Sequence, residues 1–401
     1  MEEAKKIEVR IATKDDIPDF YRLWKTCFAD SDAFCDWLFS DRFYPEYAVV
    51  LAENGTIVST MQAVPYTVMV RGIPVKATML CGVCTHPDHR KKGYMQQIFT
   101  YAMQNLYEKD FVIAVHTPAV LESYFSFGHY PVADALYLKC GAEEELYPSQ
   151  KPNLKSKLLA PTVDSINFLH KFYTEEMTSS YSGIIARTKE EFAKKWKDYR
   201  ADSARCFALF EETCIAEPKY YDSNSSEAIL SKVDELVAYA YFYEVDGADK
   251  KLFTAECVAK KDYYNELISC LLSHAKDRTA VLKLPPDLQL DHLPYRLEYK
   301  QKGVAGCVNI SLLLQSLDLD CDLSIALVDR VIPENNGVFD MKGNLTETAP
   351  TCKMDCGKFL GVLIGYETVK RENCIEIYNE TDFITLEKIF KKCICYIIDE
   401  Y

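Results

Sequence analysis

The sequence predicts a chain of mixed α/β and α+β class, divided into more than one domain. Three observations predict it. At 401 residues the chain is longer than one hydrophobic core ordinarily serves. Helical and strand periodicities alternate through its first third. Two proline-bearing stretches, residues 146–158 and Pro285-Pro286 with Pro294, interrupt the apolar pattern. The boundaries drawn from them are 1–147, 148–298 and 299–401.

The first domain opens with Thr13 and, three residues on, Asp16, a helix-start signal. Ile17, Phe20, Leu23 and Trp24 follow at helical spacing, and Asp30–Asp41 reads as a second, short helix. Residues 47–85 are β-rich and are broken by Asn54-Gly55 and by Gly72, both hairpin-type turns. A helix is predicted over Met95–Glu108, a buried strand over Phe111–Thr117, a short helix near Ala119–Phe125 and a strand over Ala135–Lys139.

"LYPSQKPNLKSKL" (146–158) reads as a linker. Beyond it, Thr188–Asp202 has the pattern of an amphipathic helix; residues 236–247 and 251–259 read as strands, 261–275 as a helix and 279–285 as a strand. That order echoes the first domain and suggests a degenerate internal repeat without an Arg-x-x-Gly cluster. From Tyr299 onward, "VAGCVNISLLLQSL", "CDLSIALVD", "GVFDMKGNLTET" and "FLGVLIGYET" suggest an α+β unit, with "FLGVLIG" as a core strand. Asn335-Asn336-Gly337 marks a turn, and "LEKIFKKCICYIIDEY" (386–401) reads as a last helix.

Composition narrows the function. A hydrophobic fraction of 48% suits a packed protein. "MEEAKKIEVRIATKDD" lacks the apolar core of a signal peptide, and no apolar run approaches the ~20 residues that span a bilayer. A cytoplasmic protein without a membrane partner is expected. The net charge of −14 would repel nucleic acid, so the basic cluster Arg90–Lys92 suits a small anionic ligand. Sixteen cysteines without a secretion signal are expected to be reduced thiols. Cys81 and Cys84 have redox-type spacing, but their flanks read as strand, which would turn the two side chains to opposite faces. No Cys/His cluster has zinc-ligand spacing, so no metal is expected.

The chemistry concentrates in "VCTHPDHRKKGYMQQ" (83–97). A helix start offers unpaired N–H groups and the positive end of the helix dipole to phosphate oxygens. Gly93 would let the backbone turn tightly there, and Arg90, Lys91 and Lys92 would neutralise charge. Short basic-Gly pieces are common, and the spacing alone favours a basic helix start that holds no ligand.

"GVCTHPDHRKKGYMQQIF" resembles the acetyl-CoA signature of the GCN5-related N-acetyltransferases (GNAT), (Arg/Gln)-x-x-Gly-x-(Gly/Ala). Arg90 and Gly93 fit it, while Met95 departs from the final small residue. With Val-x-Thr-x-Pro-x-His-Arg before it and the three-part organisation, the chain resembles the Eis-type branch. That resemblance implies an N-terminal GNAT fold, a second, divergent GNAT-like domain and a C-terminal sterol-carrier-like α+β domain. It implies acetyl-CoA as co-substrate, a primary amine of a small cationic or peptidic molecule as acceptor, and a homo-oligomer, often a hexamer. Val83, Cys84 and Thr85 would hold the pantetheine arm and thioester through backbone groups. Lys91, Lys92, Gly93, Tyr94 and Met95 would wrap the pyrophosphate, with Arg90 supporting the turn. "ESYFSFGHY" matches the family's Tyr-x-x-Phe-Gly segment, making Tyr124 the general acid, and the C-terminal carboxylate of Tyr401 would be the general base.

Other candidates compete with these. His89 is expected to be structural within the phosphate turn, beside His86, while His116, at a strand end, is a possible base. Asp399 and Glu400 would make the acceptor pocket anionic or form a solvated acidic tail. A second class of function is a non-catalytic protein that binds an apolar ligand in the third domain, with "FLGVLIG" lining its cavity rather than packing a core.

Overall fold

The computed structural model describes residues 6–146, 148, 151, 153–222, 225–247 and 249–400. In chain order the elements begin with β1 (Ile7–Ile11), α1 (Ile17–Cys27), α2 (Asp32–Trp37), β2 (Ala48–Glu53), β3 (Thr56–Val70), β4 (Ile73–Thr85), α3 (Tyr94–Glu108), β5 (Ile113–His116) and β6 (Tyr130–Cys140). Next come β7 (Leu154–Leu159), α4 (Val163–Tyr173), α5 (Lys189–Ala201), β8 (Arg205–Asp222), β9 (Ser225–Val245), β10 (Lys251–Ala259), α6 (Tyr264–Ala275) and β11 (Thr279–Leu284). The last are β12 (Arg296–Cys307), α7 (Ile310–Leu317), β13 (Ser324–Val328), β14 (Gly337–Asp340), β15 (Cys352–Asp355), α8 (Cys356–Ile364), β16 (Cys374–Ile377) and α9 (Glu380–Ile389). The chain forms two compact units, one of residues 1–135, 178–187 and 301–401, the other of 136–177 and 188–300.

In the first unit the strands run in the order β1-β2-β3-β4-β5, antiparallel as far as β4. The hairpin turns carry the backbone that two-residue loops of matching twist require. Asn54 and Gly55 have φ of 52° and 84°, Arg71 and Gly72 of 51° and 81°. β4 and β5 are parallel and joined through α3, as a parallel pair demands a crossover. The buried face of α3 (Ile98, Phe99, Ala102, Met103 and Leu106) packs with Leu51, Val58 and Met61 of the sheet. Each large apolar side chain so buried contributes roughly 1.5–3 kcal/mol. The start of α1 is fixed as its sequence suggests. Thr13 N and Oγ1 both donate to the Asp16 carboxylate, which Arg10 also grips at 2.7 and 2.8 Å.

The last hundred residues form a second sheet, β14-β13-β15-β16, with α7 and α8. Here two expectations need correction. "FLGVLIG" is not a strand but the body of α8: Asp355 Oδ1 accepts from Gly357 N at 3.0 Å and Lys358 N at 3.2 Å, and left-handed Gly365 (φ 96°) ends the helix. All of Phe359–Ile364 is buried, so the sequence lacks the polar face that would have revealed helical periodicity. The final segment is helical only to Ile389 and then extends. Ser182 N donates to Ile394 O at 2.9 Å and Tyr396 N to Ser182 O at 3.0 Å. Tyr396, Ile397 and Ile398 are all buried, and this pairing overrides their local helical pattern.

The second unit orders its strands β7-β8-β9-β10-β11, with Leu136–Cys140 of β6 beyond β11. Only β10 and β11 are parallel, and α6 joins them. This is the strand order of the first unit, so the echo seen in the sequence is an echo of topology. The predicted linker is corrected in part. Residues 147, 149, 150 and 152 lie outside the described residues, but Leu154–Leu159 is an edge strand. Its lysines, Lys155 and Lys157, are exposed, which gives an edge strand its polar, loop-like composition. Two further elements of this unit had no counterpart in the sequence pattern: α4, capped by Thr162 Oγ1 on Ser165 N at 3.1 Å, and β8.

Candidate active site

The site is built where β4 leaves its neighbours. Between the pairs Thr60–Cys84 and Gln62–Cys81, β4 spends two residues, Gly82 and Val83, opposite the single Met61. This bulge requires glycine: Gly82 has φ 60°, and a Cβ there would lie 2.2 Å from the Trp24 ring. Side chains of β3 hold it open, with Thr60 Oγ1 donating to Gly82 O at 3.3 Å and Ser59 Oγ to Cys84 O at 2.8 Å. On the other side, pairing with β5 runs only from Ala77–Ile113 to Met79–Val115. The end of β4 is therefore separated from β5 and presents backbone groups to a cleft.

Beyond β4 the chain turns through Pro87–His89, with His89 N donating to His86 O at 2.9 Å. It then reverses through Lys91 (φ 62°) and Gly93 (φ 76°) into α3. No side chain caps α3, so its first-turn N–H groups face the turn. Buried Glu53 braces the loop, bonded to His89 Nδ1 and lying 3.2 Å from Lys92 Nζ. Arg90 Nε donates to Thr85 O at 3.1 Å.

A cavity of about 470 Å³ opens on this turn. Val83, Cys84, Thr85, Arg90, Lys91, Gly93, Tyr94 and Met95 line it, so the structure brings eight of the predicted donor-site residues together. Lys92 is placed differently, turned to Glu53. Cys27, Phe28 and His89 complete the wall.

A second cavity of about 520 Å³ shares Phe28, Val83 and Met95 with the first and reaches Tyr124, His116 and Lys302. Tyr124 lies in the short helical turn Leu121–Phe127 with its ring 4.3 Å from that of His116, centroid to centroid. Burial pushes its phenol up to about 12. His116 Nε2 and His129 Nδ1 are 3.1 Å apart. Burial depresses both, His129 to about 3 and His116 well below its usual range with added repulsion from His129, so both are neutral at pH 7.

Tyr401 lies outside the described residues. The residues before it are held in place: Asp399 pairs with Arg187 at 3.0 Å, both 1% exposed, and Glu400 pairs with Lys302 at 3.1 Å. Asp399 is therefore not part of a solvated tail. Cys27, His129 and Lys302 were not legible as site residues, because no local spacing links them to the turn. Cys84, whose spacing from Cys81 is of redox type, has Cys27 of α1 as a hydrogen-bond partner.

Residues 8–133 match the family model of an acetyltransferase (GNAT) domain. That match supports acyl transfer as the general chemistry of this part of the chain. Comparison with curated protein sequences returns no match. Three solved structures are similar over 99% of this chain and 100% of their own. They are a probable N-acyltransferase from Enterococcus faecalis (13% identity, TM-score 0.77), a GCN5-related N-acetyltransferase from Anabaena variabilis (14%, 0.75) and Eis1 from Mycobacterium abscessus (13%, 0.72). At these identities the likeness shows the fold. Among the described residues, no group of three His, Cys, Asp or Glu side chains could hold a metal ion, and no helix is long and apolar enough to cross a membrane.

Proposed function

We propose that the chain is an Eis-like N-acetyltransferase that moves the acetyl group of acetyl-CoA to a primary amine of a small cationic or peptidic acceptor. One observation carries this reading: the left-handed turn at Gly93 and the bulged end of β4 line one cavity, which shares residues with a second that reaches Tyr124. The N–H groups of the first turn of α3 would receive the pyrophosphate, with Arg90 and Lys91 adding positive charge. The separated backbone of Val83, Cys84 and Thr85 would pair with the pantetheine arm, and an N–H there would stabilise the tetrahedral oxyanion.

The acceptor amine must lose a proton to attack, and the departing thiolate must gain one. Tyr124, held protonated by burial, is the proposed acid. The carboxylate of Tyr401 is the proposed base, a role supported by the pairing of its neighbour Glu400 with Lys302 on the wall of the Tyr124 cavity. Within the second unit, α6 follows β10 without a left-handed glycine; its preceding residues Lys260 and Tyr263 have φ of −58° and −117°. That unit is proposed as a divergent GNAT-like scaffold, residues 299–401 as a sterol-carrier-like part and the assembly as a homo-oligomer. Incubation with acetyl-CoA and a panel of polyamines, aminoglycosides and lysine peptides, read as free thiol release, tests the proposal. Acceptor-dependent release is expected, and none with any amine would overturn it.

A further inference from the structure

Cys27 ends α1 and Cys84 lies near the end of β4, yet both line the first cavity and their thiols are hydrogen-bonded to each other. Cys27 Sγ lies 3.7 Å from Thr85 O, and Cys84 Sγ lies 3.2 Å from Thr60 Oγ1. The Arg90 side chain reaches the same place and hydrogen-bonds to Cys27. Acyl transfer as proposed uses neither thiol.

The two sulfurs differ in the way a reactive pair must. Cys27 is half-buried, and the hydrogen bond from Cys84, aided by the Arg90 guanidinium, pulls it down to about 6 against the opposing effect of burial. Cys84 is pushed well up by that same pairing and by burial, so of the two sulfurs Cys27 gives up its proton more readily. Cys307 and Cys356 also contact each other, but both are buried, and burial together with the contact only raises Cys356.

We propose that Cys27 and Cys84 form a peroxide-oxidised thiol–disulfide site on the wall of this cavity, with Cys27 as attacking and Cys84 as resolving residue. In the first step the Cys27 thiolate attacks one oxygen of hydrogen peroxide. An S–O bond forms, the O–O bond breaks, and hydroxide leaves, giving a sulfenic acid. In the second step the Cys84 sulfur attacks the Cys27 sulfur and the S–O bond breaks. The Cys84 proton leaves with the hydroxyl as water, so two thiols and one peroxide give one disulfide and two waters. The link would tie the end of α1 to the bulged end of β4.

The test treats the whole chain with hydrogen peroxide, blocks remaining thiols with N-ethylmaleimide in acid, and identifies cross-linked peptides by mass spectrometry. The expected first product is a Cys27–Cys84 link, lacking two hydrogens and reversed by dithiothreitol. Cys84→Ser should instead accumulate a dimedone adduct at Cys27, and Cys27→Ser should give neither product. If the wild-type chain keeps both thiols, or links Cys307 to Cys356 or any other pair first, the proposal is overturned, whatever the variants do. No acyl donor enters these readouts. If coenzyme A fails to bind but the link forms, the transferase reading falls and the thiol site stands.

Discussion

The ammonium of Lys302 lies 3.1 Å from the Glu400 carboxylate and lines the cavity that also holds Tyr124. The proposed base is one residue further along the chain. In a chain that ends at Tyr401, residues appended there would replace the terminal carboxylate by a neutral amide. Turnover should then fall by ~10²–10⁴-fold, the usual share of general acid–base catalysis, with coenzyme A affinity unchanged. Steady-state rates and calorimetry on the extended chain check this, and an undiminished rate would remove the terminal carboxylate from the mechanism.

Tyr124→Phe removes only the phenolic proton. Turnover should fall within the same ~10²–10⁴-fold range, while calorimetry shows unchanged coenzyme A binding. The pH profile adds a sign. The acid must be protonated, and burial holds its proton until pH rises through about 12. No falling limb due to Tyr124 should therefore appear across the neutral and mildly basic range. A limb near the ordinary phenol value of ~10 that vanishes in Tyr124→Phe would show the hydroxyl to be solvated.

Gly82→Ala tests the bulge. Its Cβ would meet the Trp24 ring at 2.2 Å, and Trp24 is itself buried. Overpacking of this kind costs ~1–3 kcal/mol, added to the strain of a left-handed alanine. Gly55 is also left-handed but faces open space, so Gly55→Ala should cost only the conformational strain of ~1–2 kcal/mol. Thermal or urea unfolding compares the two. Equal losses would mean that contact with Trp24 does not define the bulge.

Asp16 links the start of α1 to pH. The hydrogen bond from Arg10 is the largest cause that takes its carboxyl from 3.8 to about 2, with Thr13 assisting. A folded value below the unfolded one stabilises above the unfolded value and is lost as pH falls through the folded one. The stability gap between wild type and Asp16→Asn should be full above pH 4 and shrink as pH falls toward 2. Urea unfolding at several pH values measures it, and a gap independent of pH would contradict the assignment.

Residues 13–117 are legible in the sequence because their signals are local. Asn54-Gly55 and Gly72 specify hairpins through their own backbone preferences, and Gly93 with its basic neighbours marks the start of α3. Signals failed where tertiary contacts decide. Phe359–Ile364 of α8 are all buried and so lack a readable period, and residues 394–396 extend because Ser182, far away in sequence, bonds to them. Within the site, Val83 to Met95 are contiguous and were readable. Cys27 and Lys302 reach the same cavities only through the packing of α1 and the course of β12, which no spacing in the sequence encodes.

The most direct measurement is a calorimetric titration of coenzyme A into the wild-type chain and into Gly93→Val. The space beside Gly93 is open, so this substitution strains the backbone at φ 76° without a clash against the protein's own atoms. The account predicts binding by the wild type and a loss of about tenfold or more in the variant, the scale of misplaced helix-terminal N–H groups. Absence of binding to the wild type at millimolar coenzyme A, or equal affinity in both, would contradict it.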